Sequence, residues 1–149
     1  MHNLTLELGS YTQLSEMIGN VPAYFLVPNF NPHEAIGWAK ANFSINGFTL
    51  ANADVRNMSF DLRTDRDGLE KVLNHSTQQF IIYSFSKPVP DTLVIDYLPE
   101  QGKENILKQN GLLHVFDISF EFLTISSFDE DFLEEIKQHP EYSQWVIEK

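Results

Sequence analysis

Five histidines have the widest chemical range in this chain, as metal ligands or as general acids and bases near neutral pH. They stand at His2, His33, His75, His114 and His139, and they share no metal-ligand spacing. His33-Glu34 opens like the zinc-binding H-E-x-x-H helix, but the second ligand position is Gly37. One imidazole does not hold zinc. Arg63-Thr64-Asp65-Arg66-Asp67-Gly68 faintly echoes a calcium loop. Aligned on Gly68, its first and last ligand positions fall on Arg63 and Asn74, so both key carboxylates are missing. His114 lies in the apolar run Leu112-Leu113-His114-Val115-Phe116. It has the setting of a general base, and more so that of a hydrogen-bonded, partly buried structural residue. Asp96 and Asp117 are the candidate carboxylate pair for acid–base work. Each also fits the wet face of an alternating strand, which is the simpler reading.

G-x-G-x-x-G, G-x-x-x-x-G-K-[ST] and G-x-S-x-G are all absent from the sequence. Nucleotide binding by a Gly-rich loop and α/β-hydrolase chemistry thus lose their usual support. The absence of cysteine excludes disulfides, thiolate metal sites and a Cys nucleophile. The expectation is a protein that is not an enzyme and needs no metal, nucleotide or other cofactor.

The 149 residues carry 21 Asp and Glu against 10 Lys and Arg, a formal net charge of −11. Such a surface does not suit a phosphate backbone, so no nucleic-acid partner is expected. With 42% apolar residues, including 12 Phe, 5 Tyr and 2 Trp, the chain is rich enough to fold despite its charge. Its length fits one domain over residues 1–149. The start, Met1 to Leu8, alternates apolar and polar residues and lacks the basic, then apolar, pattern of a signal peptide. No apolar run reaches membrane-spanning length. The expected location is the cytoplasm, away from membranes. The Asn-x-Ser/Thr matches at Asn3, Asn42, Asn57 and Asn74 then read as chance.

Charge is unevenly placed. Arg56, Arg63 and Arg66 sit among Asp61, Asp65 and Asp67, a mixed stretch that reads as exposed ion pairs. From Asp117 onward nine acids face only Lys137 and Lys149, a balance of −7. Asp117 and Glu121 share the polar side of one alternating segment, and Asp129, Glu130, Asp131, Glu134 and Glu135 crowd the next. Acids in a first helical turn complement the helix dipole, which accounts for Asp129, Glu130 and Asp131 but not for the others. The surplus predicts a face that meets a basic partner, with Tyr142 and Trp145 as candidate aromatic anchors.

The elements that must carry these residues follow from periodicity. Strands are predicted over 2–8, 21–27, 58–62, 79–85, 92–97 and 112–125, with a tight Asn-Gly hairpin in 43–50. Helices are predicted over 11–18, 31–40, 67–73, 104–109 and from a Ser127–Glu130 capping box to just before Pro140. A last helical turn follows at 142–146. In 112–125 the alternation places Phe116, Ile118, Phe120 and Phe122 together and then reverses parity at Leu123, which predicts a bulge or a strand end. Phe80, Ile82, Phe116, Ile118, Phe120, Phe132 and Ile136 form the expected core. The fold class is α+β, a mixed and mostly antiparallel sheet flanked by short helices.

In size, charge and element order the chain resembles the diverse bacterial immunity proteins that neutralise delivered toxins, as in contact-dependent growth inhibition. That group shares no single motif, so no residue role carries over. The resemblance implies a cytoplasmic inhibitor, monomeric or weakly dimeric, that covers a basic toxin such as a nuclease. The alternatives are an acidic secretion-type chaperone that holds an effector, or a small enzyme or ligand-binding domain.

Overall fold

A computed structural model describes residues 1–8, 11–18, 24–30, 60–75, 79–90 and 92–148. The helix expected over 31–40, with His33 and Gly37, and the hairpin expected in 43–50 lie outside the described residues, as does Arg56. The elements are β1 (His2–Glu7), α1 (Tyr11–Ile18), β2 (Tyr24–Phe30), β3 (Phe60–Thr64), α2 (Arg66–His75), β4 (Gln79–Phe85), α3 (Lys103–Gln109), β5 (Leu112–Ser119), β6 (Phe122–Ser127), α4 (Glu130–Gln138) and β7 (Val146–Glu148). Short 3-10 turns occupy Ile95–Tyr97 and Tyr142–Trp145. One seven-stranded sheet runs in the order β3-β2-β4-β5-β6-β1-β7. Every described pairing is antiparallel, so the fold is α+β. No described helix is long and apolar enough to cross a membrane.

Alternate residues of a strand point to opposite faces, and here both faces bury apolar side chains. On the first face Leu4, Leu6, Phe25, Val27, Ile82, Phe116, Ile118, Leu123 and Ile125 meet Leu14 and Met17 of α1, Leu69 and Leu73 of α2, and Leu133 and Ile136 of α4. On the second face Leu26, Tyr83, Phe85 and Leu112 are covered by Leu93, Ile95 and Leu107 of the β4–β5 connection. Residues 92–97, expected as a strand, thus form a cover instead. Leu93 and Ile95 still bury on alternate positions, but prolines at 88, 90 and 99 deny the segment a ladder. Its amides bond locally, Leu93 to Pro90 O, Tyr97 to Val94 O and Leu98 to Ile95 O, each at 3.1 Å.

Arg63 fastens this cover. It sits opposite Leu26 in the ladder, is 8% exposed, and donates to the Pro90 carbonyl at 3.3 Å and to that of Leu93. Arg66 donates to the Ser15 carbonyl in the last turn of α1 at 2.7 Å and lies 3.8 Å from Glu70. Arg63 and Arg66 thus bind backbone carbonyls of other elements, and only Arg66 with Glu70 keeps the expected character of a surface ion pair. Asp65 caps α2 by accepting the Gly68 amide at 2.9 Å.

The parity reversal at Leu123 is a hairpin. Ser119 pairs with Phe122, which leaves Phe120-Glu121 as a two-residue turn. Phe120 adopts φ 57° there, the left-handed region that a two-residue hairpin demands of its first turn residue. Phe120 is 57% exposed and Phe122 44%, so the expected placement of Phe120 in the core is corrected, while Ile82, Phe116, Ile118 and Ile136 are buried. A left-handed phenylalanine costs roughly 1 kcal/mol, which glycine avoids at some entropic expense in the unfolded chain. Phe120→Gly is expected to leave stability unchanged or raise it by up to about 1 kcal/mol in urea unfolding.

Candidate functional site

The acidic segment begins where β6 turns into α4. Asp129, not Ser127, caps α4: its carboxylate accepts the amides of Asp131 at 3.0 Å and Phe132 at 3.3 Å. Ser127 cannot cap because it lies inside, opposite His114 in the β5–β6 ladder. Its hydroxyl accepts the Asp129 amide at 2.9 Å and lies 2.7 Å from His114 Nδ1. Asp129→Ala is expected to cost about 1 kcal/mol in chemical denaturation, the usual value of a lost cap.

His114 is 3% exposed and stacks on Phe132, ring centroids 4.0 Å apart. Burial holds its imidazolium form down, to a pKa of about 4, against the opposing pull of Asp129. With Ser127 fully buried beside it, this Ser–His pair does not meet solvent and serves as a structural pin between β5, β6 and α4. His139 and His2 are also engaged locally. His139 Nδ1 accepts the amides of Glu141 at 3.1 Å and Tyr142 at 3.3 Å, and His2 lies 3.9 Å from the Glu130 carboxylate. No group of three His, Asp or Glu among the described residues is placed to hold a metal.

The seven acids read from the sequence do not form one patch. Leu133 and Ile136 seat α4 on the first sheet face. Asp117 stands between Phe116 and Ile118 of that face and therefore points to the second. Glu121 occupies the hairpin turn, at the end of β6 away from the Asp129 cap. Asp129, Glu130 and Asp131 surround the start of α4, Glu134 is paired with Lys137 at 3.0 Å, and Glu135 is exposed. Tyr142 is 6% exposed in the core, which corrects its expected role as an exposed anchor. Its hydroxyl bonds to Glu16 of α1, and burial followed by that carboxylate raises its pKa. Trp145 is half-buried against the same core.

The second face, beyond the reach of the β4–β5 cover, carries a different set. Its ladder rows run Ile81–Asp117–Thr124–Thr5 and Gln79–Ser119–Phe122–Glu7. Thr5 and Thr124 hydroxyls lie 3.3 Å apart across that face. Glu7, Asp117 and Phe122 are exposed, with Phe120 and Glu121 at its end. Asp96, on the exposed side of its 3-10 turn, borders this face with Asp117: burial, then Asp117 and then Asp96, raise the pKa of Tyr83. The two candidate carboxylates, both exposed, thus act on one tyrosine that is itself buried under the β4–β5 cover. A separate cavity of about 220 Å³ lies near β3, lined by Tyr24, Phe25, Arg63, Thr64, Asp65, Pro88 and Val89. Phe120, Phe122 and Glu7 were not singled out by charge or motif. The parity reversal is the signal that exposes the first two, once it is read as a turn.

No protein-family model matches the chain, and no curated protein or solved structure does. What the arrangement offers chemically is an acidic exterior with exposed aromatic rings. Carboxylates receive guanidinium or ammonium groups, and ring faces attract the same cations.

Proposed function

We propose that this chain is a cytoplasmic acidic binding protein that neutralises a basic protein toxin, a nuclease domain above all, by covering its active or substrate-binding surface. The observation that carries this reading is the acidic excess together with a run of strands free of basic residues. β1, β4, β5 and β6, four adjacent strands, contain no Lys or Arg, while the chain as a whole bears −11. Like charges at this density repel one another in the free protein, and a basic partner relieves that repulsion and is steered toward it. An enzymatic reading draws nothing from His114 and Ser127, which are buried, or from Asp96 and Asp117, which lie on an open face.

The test is co-expression in bacteria with the basic products of the reading frames that flank this gene, assayed for toxicity on their own. Restored growth, together with a one-to-one complex that blocks the toxin's activity, is the expected result. Arrested growth with both proteins soluble, or a tight dimer of this chain wrapped by an extended client, would contradict the reading and favour a chaperone.

A further inference from the structure

We propose that the docking surface for that basic partner is the uncovered part of the second sheet face, from the β5–β6 turn across β6 to β1, with Phe120 and Phe122 as anchors and Glu7, Asp117 and Glu121 as carboxylates. This deepens the function proposed above and rests on it. It also moves the contact away from α4, where sequence alone places most of the acids.

Among the described residues, the cover on this sheet face stops short. Lys108 of α3 lies 5.2 Å from the Phe128 ring centre, and the N-terminal ammonium lies 2.9 Å from Glu104, so α3 guards the end where β5 and β1 begin. At the opposite end Phe122, Glu7 and Asp117 are exposed, and half-buried Ile81 lies beside Asp117 in the ladder. Folding leaves about half of each of the two phenylalanines in water. Phe122 stands 44% exposed on a strand, and Phe120 stands 57% exposed in a left-handed turn position. An exposed aromatic pair on an unpartnered sheet face is an anchor arrangement, since hot spots favour rings that fill a partner's pocket.

Charge selects the partner. Among the described residues, Glu7, Asp117 and Glu121 take part in no ion pair, whereas Glu134 is held by Lys137 and Glu130 lies near His2. Asp129 is occupied as a cap. Asp131 and Glu135 of α4 are likewise in no ion pair, so what sets Glu7, Asp117 and Glu121 apart is the exposed pair Phe120 and Phe122 beside them. Ring faces flanked by carboxylates fit arginine side chains, which stack on one and fork onto the other. A basic protein surface rich in arginine is the occupant.

Hexa-arginine peptide titrated into the 15N-labelled protein at low salt is the probe, with hexa-glutamate as control. Amide shifts are expected over 117–124 and 5–8, with few along α4. Phe122→Thr combined with Phe120→Gly should weaken binding about tenfold, while Glu130→Gln with Glu135→Gln should change it less than about twofold. Threonine suits a strand and glycine the turn, and an unchanged amide spectrum elsewhere confirms that the variant folds. Shifts centred on α4, or affinity that depends on Glu135 and not on the phenylalanines, would overturn the docking face and leave the basic-partner reading standing. Equal response to hexa-arginine and hexa-glutamate, or none to either, would overturn both.

Discussion

Acidification from about pH 6.5 to about pH 4 is expected to remove roughly 3 kcal/mol of stability through His114 alone. The imidazole is 3% exposed, stacked on Phe132 and bonded to Ser127. Burial depresses its pKa to about 4 in the folded chain, whereas the unfolded chain retains the ordinary value near 6.5. Above that ordinary value both states are neutral and nothing is lost. Between the two values only the unfolded chain takes up the proton, so stability falls as pH falls. Below about 4 the folded chain is protonated as well and the loss levels off. His114→Phe keeps the stack on Phe132 and leaves Ser127 its bonds at Asp129. Urea unfolding of both proteins across this range should show the slope in the native chain and a shallower one in the variant. Parallel slopes would show that His114 is not the proton acceptor.

The second large effect is at Arg63. Arg63→Ala takes the guanidinium donor from the buried Leu93 carbonyl, and a buried carbonyl left without a donor costs about 1–3 kcal/mol, whereas the Pro90 carbonyl keeps the Leu93 amide. The expected loss is about 2 kcal/mol, with Arg63→Lys intermediate because one ammonium does not reproduce a two-pronged fork. Hydrogen exchange adds a local signature. The amides of Leu93, Tyr97 and Leu98 should lose protection before those of β5, since they bond only within the cover that Arg63 fastens. Uniform loss across the sheet would instead mean that Arg63 supports the whole fold and not that cover.

Much of this architecture was legible in the sequence wherever burial on one face imposes a period. The alternation of Phe116 and Ile118, the stripe Leu133–Ile136 and the apolar run 79–85 each name an element, and helix 11–18 falls at its expected bounds. Legibility fails where two geometries share one pattern. Leu93 and Ile95 alternate equally well in a strand or in an irregular cover, and the choice is made by prolines and by Arg63, a residue some 30 positions away. Residues 116–122 alternate without interruption, so a left-handed turn at a phenylalanine leaves no local mark. The candidate site is the less legible part. Acids adjacent in sequence, from Asp117 to Glu135, are sent to opposite faces and ends of the sheet by one hairpin and one helix cap. Glu7 joins Phe122 only through the β1–β6 ladder.

The most direct measurement of the central claim is the association rate of the purified chain with basic proteins drawn from the products of neighbouring reading frames, followed by stopped-flow over a range of salt. A complex steered by carboxylates should form fast at low salt and slow steeply as salt rises, while dissociation changes little. Charge reversal at Asp117 and Glu121 should flatten that dependence. A rate indifferent to salt, or no complex at any salt, would contradict the claim that this acidic protein exists to meet a basic one.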